Sequence, residues 1–114
     1  MDKANIPARL AALTEHWSQQ TLAIANGNQF KVAKGLGATN WHQHDDQDEL
    51  FIIFEGVMRI EMREDDAVRE VRLEPGDIFT VPRGTQHRPI ADEDVKFIVV
   101  GTTITSTKAG GKPN

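Results

Sequence analysis

The chain has 114 residues, 39% hydrophobic and 26% charged, which is enough for one domain with a real core and too little for two. Its formal charge of −4 gives no basic field for nucleic acid or anionic lipid, and no apolar run approaches a membrane span. With no cysteine there are no disulfides, and any metal site must use nitrogen and oxygen donors. The N-terminal residues lack the layout of a secretory signal, so the expected location is the cytoplasm.

In chain order, Ile6, Leu10, Leu13 and Trp17 recur at intervals of four, three and four, which predicts an amphipathic helix over 6–17. Asn5 is the expected N-cap, and Pro7 suits the first turn. The pattern then changes to period two. Leu22 and Ile24 alternate, Asn26-Gly27 marks a hairpin turn, and Phe30 and Val32 alternate beyond it. Residues 50–54 form a continuous apolar run. Met58, Ile60 and Met62 alternate with charged residues, so they are expected to fill the interior from a half-solvated strand. Polar turns at 64–66 and 74–77 separate this strand from Val71 and Leu73 and from a strand at 78–81. A last strand is expected at 95–100, and 105–114 has the composition of a flexible tail. About eight short strands with regular turn signals predict an all-β sandwich or barrel over about 20–102, with the helix packed against it.

His42 and His44 lie two apart in an extended segment, so their rings leave the same face. Glu49 follows the polar stretch Asp45 to Asp48, whose bend can return its carboxylate toward the rings. Two imidazoles and a carboxylate on one face suit a divalent ion of the first transition row. The same parity puts Phe51 and Ile53 along the pocket. Alternation points Trp41 the opposite way, and His16 is read as a surface or packing residue.

The segments H-x-H-x(4)-E-x(6)-G (His42, His44, Glu49, Gly56) and G-x(5)-P-x-G-x(2)-H (Gly76, Pro82, Gly84, His87) resemble the two cupin motifs. The resemblance spans about residues 30–100 and implies a double-stranded β-helix, or jelly-roll barrel, with His42, His44, Glu49 and His87 as the ligands of one ion (Fe, Mn, Ni or Zn). It also implies turns at Gly56, Gly76 and Gly84 and a strand ending at Pro82. Two family positions depart: Leu36, between two glycines, stands where a glycine is common, and Ala91 where an asparagine is common. The run Asp-Glu-Leu-Phe and the segment from Pro82 to Pro89 resemble small single-domain cupins often described as mannose-6-phosphate isomerase-like.

Four ligands leave two positions open on an octahedral ion, as a catalytic metal requires. Arg83 and Arg88 flank His87 and are candidates to bind an anionic substrate at the rim. The implied function is a metal-dependent enzyme on a small organic molecule, an oxygenase or an isomerase. The alternative is a non-catalytic module binding a metal or small ligand. Apolar side chains on both faces of 50–54 and 97–100 predict a homodimer.

Overall fold

The computed structural model describes residues 2–105. Its elements in chain order are α1 (Ile6–Ala11), β1 (Gln20–Ala25), β2 (Asn28–Ala38), β3 (Glu49–Glu55), β4 (Met58–Glu64), β5 (Ala67–Leu73), β6 (Ile78–Val81) and β7 (His87–Gly101). All strand pairs are antiparallel, in the order β1-β2-β7-β3-β6, with β4 joining β7 to β5. The result is an all-β jelly-roll barrel with a short N-terminal helix. No helix among the described residues is long and apolar enough to cross a membrane.

The last strand is longer than its apolar run. It starts at His87 and spans 15 residues, so the described residues hold seven strands in place of the expected eight. Its first part pairs with β4 (Met62 opposite His87) and the end of β2 (Ala38 opposite Ile90), and its second part with β2 and β3 (Val99 opposite Lys31 and Phe51). Between these parts lie Asp92, Glu93 and Asp94, all exposed, where the strand turns the barrel's corner. A proline and an acidic triplet hide this continuity from a reading by hydropathy. Gly56, at φ 83°, makes the β3–β4 turn against that corner, where a Cβ would lie 2.5 Å from the Asp94 carbonyl.

Inward residues follow the expected period of two. Phe51, Ile53, Met58, Ile60, Met62, Val95, Phe97 and Val99 form one buried cluster. Asn26 and Gly27 both have positive φ and close the β1–β2 hairpin as a type I′ turn. The departures Leu36 and Ala91 fall respectively on an exposed position and in the core.

The helix is half its expected length. Asn5 caps it through its Oδ1, which accepts from Ala8 N–H at 2.9 Å, but it stops at Ala11. Leu10 and Leu13 still share a face, covering Leu22 and Val32 on the outer side of the sheet. Trp17 leaves the stripe. Its backbone takes φ 64°, its N–H donates to Lys34 O at 2.7 Å, and its indole Nε1–H donates to Leu36 O at 3.1 Å. The ring enters the barrel against Gly35 and Phe97. Burying an indole with its donor satisfied outweighs one further turn of a short surface helix, which has little stability of its own.

Of the expected tail, 106–114 lies outside the described residues. Thr105 is 2% exposed and belongs to the packed body.

Candidate metal centre

The two motif segments lie side by side, and backbone hydrogen bonds set their mutual register. His42 N–H donates to His87 O at 3.0 Å, and His87 N–H donates to His42 O at 2.8 Å. Gly84 N–H donates to His44 O at 2.8 Å, and Arg83 N–H donates to Asp48 Oδ1 at 2.9 Å. Glu49 then opens β3 opposite Val81 of β6. The fixed spacings within each motif are therefore the register of one segment against the other.

This stitching gathers His42, His44, Glu49 and His87, which present one donor atom each, all within 4.8 Å of one another. His44, Glu49 and His87 are buried, and His42 is half-buried. Glu49 bridges the other two buried donors: its Oε2 is 3.5 Å from His44 Nε2, and its Oε1 is 3.1 Å from His87 Nε2. His42 Nδ1 lies 2.7 Å from Asn40 O, and His87 Nδ1 lies 2.8 Å from Thr85 O. A carbonyl only accepts, so each Nδ1 carries the proton and donates it. With Nδ1 protonated there, Nε2 is the nitrogen each ring offers inward, where an ion would take the place of its proton. Tying the far nitrogen to a backbone carbonyl is how histidine ligands are usually oriented.

The electrostatics agree with a cation-binding role. Burial alone would raise the Glu49 pKa, but hydrogen bonds from His87 and Thr105 and the proximity of His44 and His87 hold it below the ordinary carboxylate value. Burial pushes His42 down, against the opposing effect of the Asn40 carbonyl. A divalent ion needs an ionised carboxylate and neutral imidazole donors, and the downward shifts of Glu49 and His42 both favour that state. Three nitrogens and one oxygen, with no sulfur, suit Fe, Mn, Ni or Zn.

Beside the ligands is a cavity of about 20 Å³, lined by aromatic rings of Trp17, Phe51 and Phe97, by Pro89, and by the polar side chains of Gln19, Thr39 and Thr105 together with His42 and Glu49. Of the expected pocket residues, Phe51 is in this wall. Ile53 is not; it sits deeper in the core at 1% exposure. Neither arginine reaches the cavity. The Arg83 side chain is 63% exposed beside Asp48, and Arg88 donates to Glu61 at 2.7 Å. Arg88 and Arg63 stack on Trp41, on the outer surface, 5.0 and 4.1 Å from its ring centre. This fits the outward direction expected of Trp41. His16 pairs with Asp94 at 2.6 Å, away from the ligands. Gln47, within the acidic stretch expected to form a solvated bend, is buried.

The wall residues Gln19, Thr39 and Thr105 carry no spacing signal, and only the closed barrel brings them together. Trp17 and Phe97 stand out in the sequence as apolar positions, not as cavity walls.

A family model described as a cupin domain matches residues 28–101. The chain is 30% identical over 84 residues to the uncharacterized protein YdbB of Bacillus subtilis, an alignment covering 74% of this chain and 72% of that one. A crystal structure of a cupin-2 domain containing protein from Shewanella frigidimarina superposes with a TM-score of 0.78 at 33% identity, covering 85% of this chain and 91% of that one. A hydroquinone 1,2-dioxygenase solved with Cd2+ and 4-hydroxybenzonitrile shares the fold at 16% identity, with a TM-score of 0.71 and coverage of 87% and 71%.

Proposed function

The chain belongs to the cupin domain family, and from that premise we propose that it is a mononuclear metal-dependent enzyme acting on a small organic molecule. The proposed ligands are His42, His44, Glu49 and His87. The observation that carries this reading is the convergence of their four donor atoms within 4.8 Å, with two rings oriented from behind by backbone carbonyls. A bound divalent ion would supply Lewis acidity, stabilising negative charge that develops on a substrate oxygen.

The chain's own residues do the rest. His42 and His87 keep their Nδ1 protons on Asn40 O and Thr85 O, so Nε2 stays available as a donor. Glu49 supplies the single negative charge. Trp17, Phe51 and Phe97 give the cavity beside the ligands an apolar wall.

Of the two reaction classes, the oxygenase branch fits this wall better than the isomerase branch. Three aromatic rings and a proline give the wall a flat apolar part that suits a phenolic ring. The hydroquinone dioxygenase that shares the fold works on such a ring compound. The test is O₂ uptake by protein loaded anaerobically with Fe(II), offered catechols and hydroquinones. Substrate-dependent uptake that disappears in His42→Ala supports the reading. No uptake, with turnover of a phosphorylated ketose or aldose by Zn- or Mn-loaded protein, favours the isomerase.

A second reading is a non-catalytic binding module. It is favoured by one observation: the cavity wall offers no titratable side chain beyond the ligands themselves to serve as a general base. A homodimer remains part of the proposal, supported by apolar side chains on the outer face of the sheet.

A further inference from the structure

Beyond the end of β7, residues 102–105 cross toward the ligands, and buried polar side chains hold them there. Gln47 is 3% exposed; its Oε1 accepts from Thr102 N–H at 2.7 Å, and its Nε2 donates to the Thr103 hydroxyl at 2.7 Å. Lys31, at 0% exposure on the inner face of β2, donates to Thr103 O. Gln19, just before β1, accepts from Thr105 N–H at 2.8 Å and donates to Thr105 Oγ1 at 2.9 Å. The Thr105 hydroxyl also hydrogen-bonds Glu49.

Gln19 and Thr105 both line the cavity beside His42 and Glu49. At about 20 Å³, that cavity has room for about one water molecule. Any organic substrate therefore needs a movement of the wall. The aromatic part of the wall is packed into the core, whereas Gln19 and Thr105 join two chain segments outside the strand ladders. Ile104, the one large apolar side chain of 102–105, is 37% exposed, so the segment is less completely buried than the aromatic wall. The bonds at Gln47 and Lys31 anchor its base at Thr102 and Thr103. The tip at Thr105 is tied to Gln19 by hydrogen bonds of modest net strength.

We propose that Gln19 and Thr105 form a latch over the ligand cavity, closed by their mutual hydrogen bonds, which opens to admit anything larger than water. The latch rests on the metal reading above.

The test uses the full chain and Co2+ as the probe, followed by its absorption bands in stopped flow. A gate speeds entry and exit together and leaves affinity nearly unchanged; a residue that only tunes Glu49 shifts affinity through the exit rate. For Thr105→Val, which keeps the shape and removes the hydroxyl, Co2+ association and EDTA-chased dissociation should both rise about tenfold, the equivalent of one or two lost hydrogen bonds. The dissociation constant should stay within about threefold, and Thr105→Ser should restore wild-type rates. Gln19→Ala should act like Thr105→Val and carries the comparison should that variant fail to fold. Unchanged rates, or a faster exit with association unaltered, would overturn the latch alone. Wild-type protein that takes up no Co2+ would overturn the metal reading, and the latch with it.

Discussion

Gly35→Ala tests the packing that sets the inner wall of the cavity. The Cβ it adds would lie 2.6, 2.7 and 2.9 Å from three atoms of the six-membered ring of Trp17. The indole cannot slide aside freely. Its Nε1–H is bound to Leu36 O, its backbone N–H to Lys34 O, and its ring rests against Phe97. Overpacking of this kind costs about 1–3 kcal/mol, which opposes the roughly 0.5–1 kcal/mol that alanine ordinarily gains over glycine in a strand. The net expectation is a loss of about 1–2 kcal/mol, or roughly 4–15 °C in Tm for a domain of this size. Urea denaturation of wild type, Gly35→Ala, Trp17→Phe and the double variant closes a thermodynamic cycle. A phenyl ring ends short of the crowded atoms, so the alanine should cost at least about 1 kcal/mol less in the Trp17→Phe background than in the wild type. Equal costs in both backgrounds, or none in either, would refute the account of why the chain abandons its helix to insert Trp17.

Lys31 gives a pH signature. Burial pushes its pKa from 10.5 down to about 8, with Glu49 opposing. The unfolded chain keeps that proton up to about pH 10.5 while the fold releases it near 8, so the metal-free protein should gain stability as pH rises between these values, by at most about 3 kcal/mol. Lys31→Met should flatten the rise in urea midpoint, and parallel profiles for the two proteins would contradict it. Asp65 and Asp66 occupy a two-residue turn at φ 47° and 64°, so Asp66→Gly should relieve left-handed strain and stabilise by about 0.5–1 kcal/mol; a lower melting temperature would count against this. The outer face carries Ile24 at 57%, Phe30 at 38% and Ile78 at 63% exposure. Sedimentation velocity at micromolar concentration should show a dimer that Phe30→Lys dissociates, and a wild-type monomer would sink the pairing.

The candidate ligands could be picked out in the sequence because His42, His44 and Glu49 lie close together in the chain and the resemblance to the two cupin motifs adds His87. His42 and His44 sit two apart on an extended segment, and the Gly84 turn returns the chain at a fixed distance before His87. The hairpin at Asn26-Gly27 and the inward parity of Met58, Ile60 and Met62 were legible from local pattern alone. What failed depended on contacts between distant segments. Trp17 keeps helical spacing with Leu10 and Leu13, yet its packing partner, Gly35, is 18 residues away. Arg83 and Arg88 flank His87 in sequence, but strand alternation and a turn carry both side chains outward, to Asp48 and to Glu61 with Trp41. Thr105 reads as tail because its neighbours are polar and small. It is buried by Gln19, 86 residues earlier, which no local pattern announces.

The central claim is that four side chains hold one divalent ion. Elemental analysis of protein dialysed after separate exposure to Fe(II), Mn2+, Ni2+ and Zn2+ tests it most directly. The account predicts about one equivalent of at least one of these ions per chain, lost in His87→Ala and in Glu49→Gln while both variants keep a cooperative unfolding transition. Wild-type protein that retains none of them, or variants that retain as much as wild type, would contradict it.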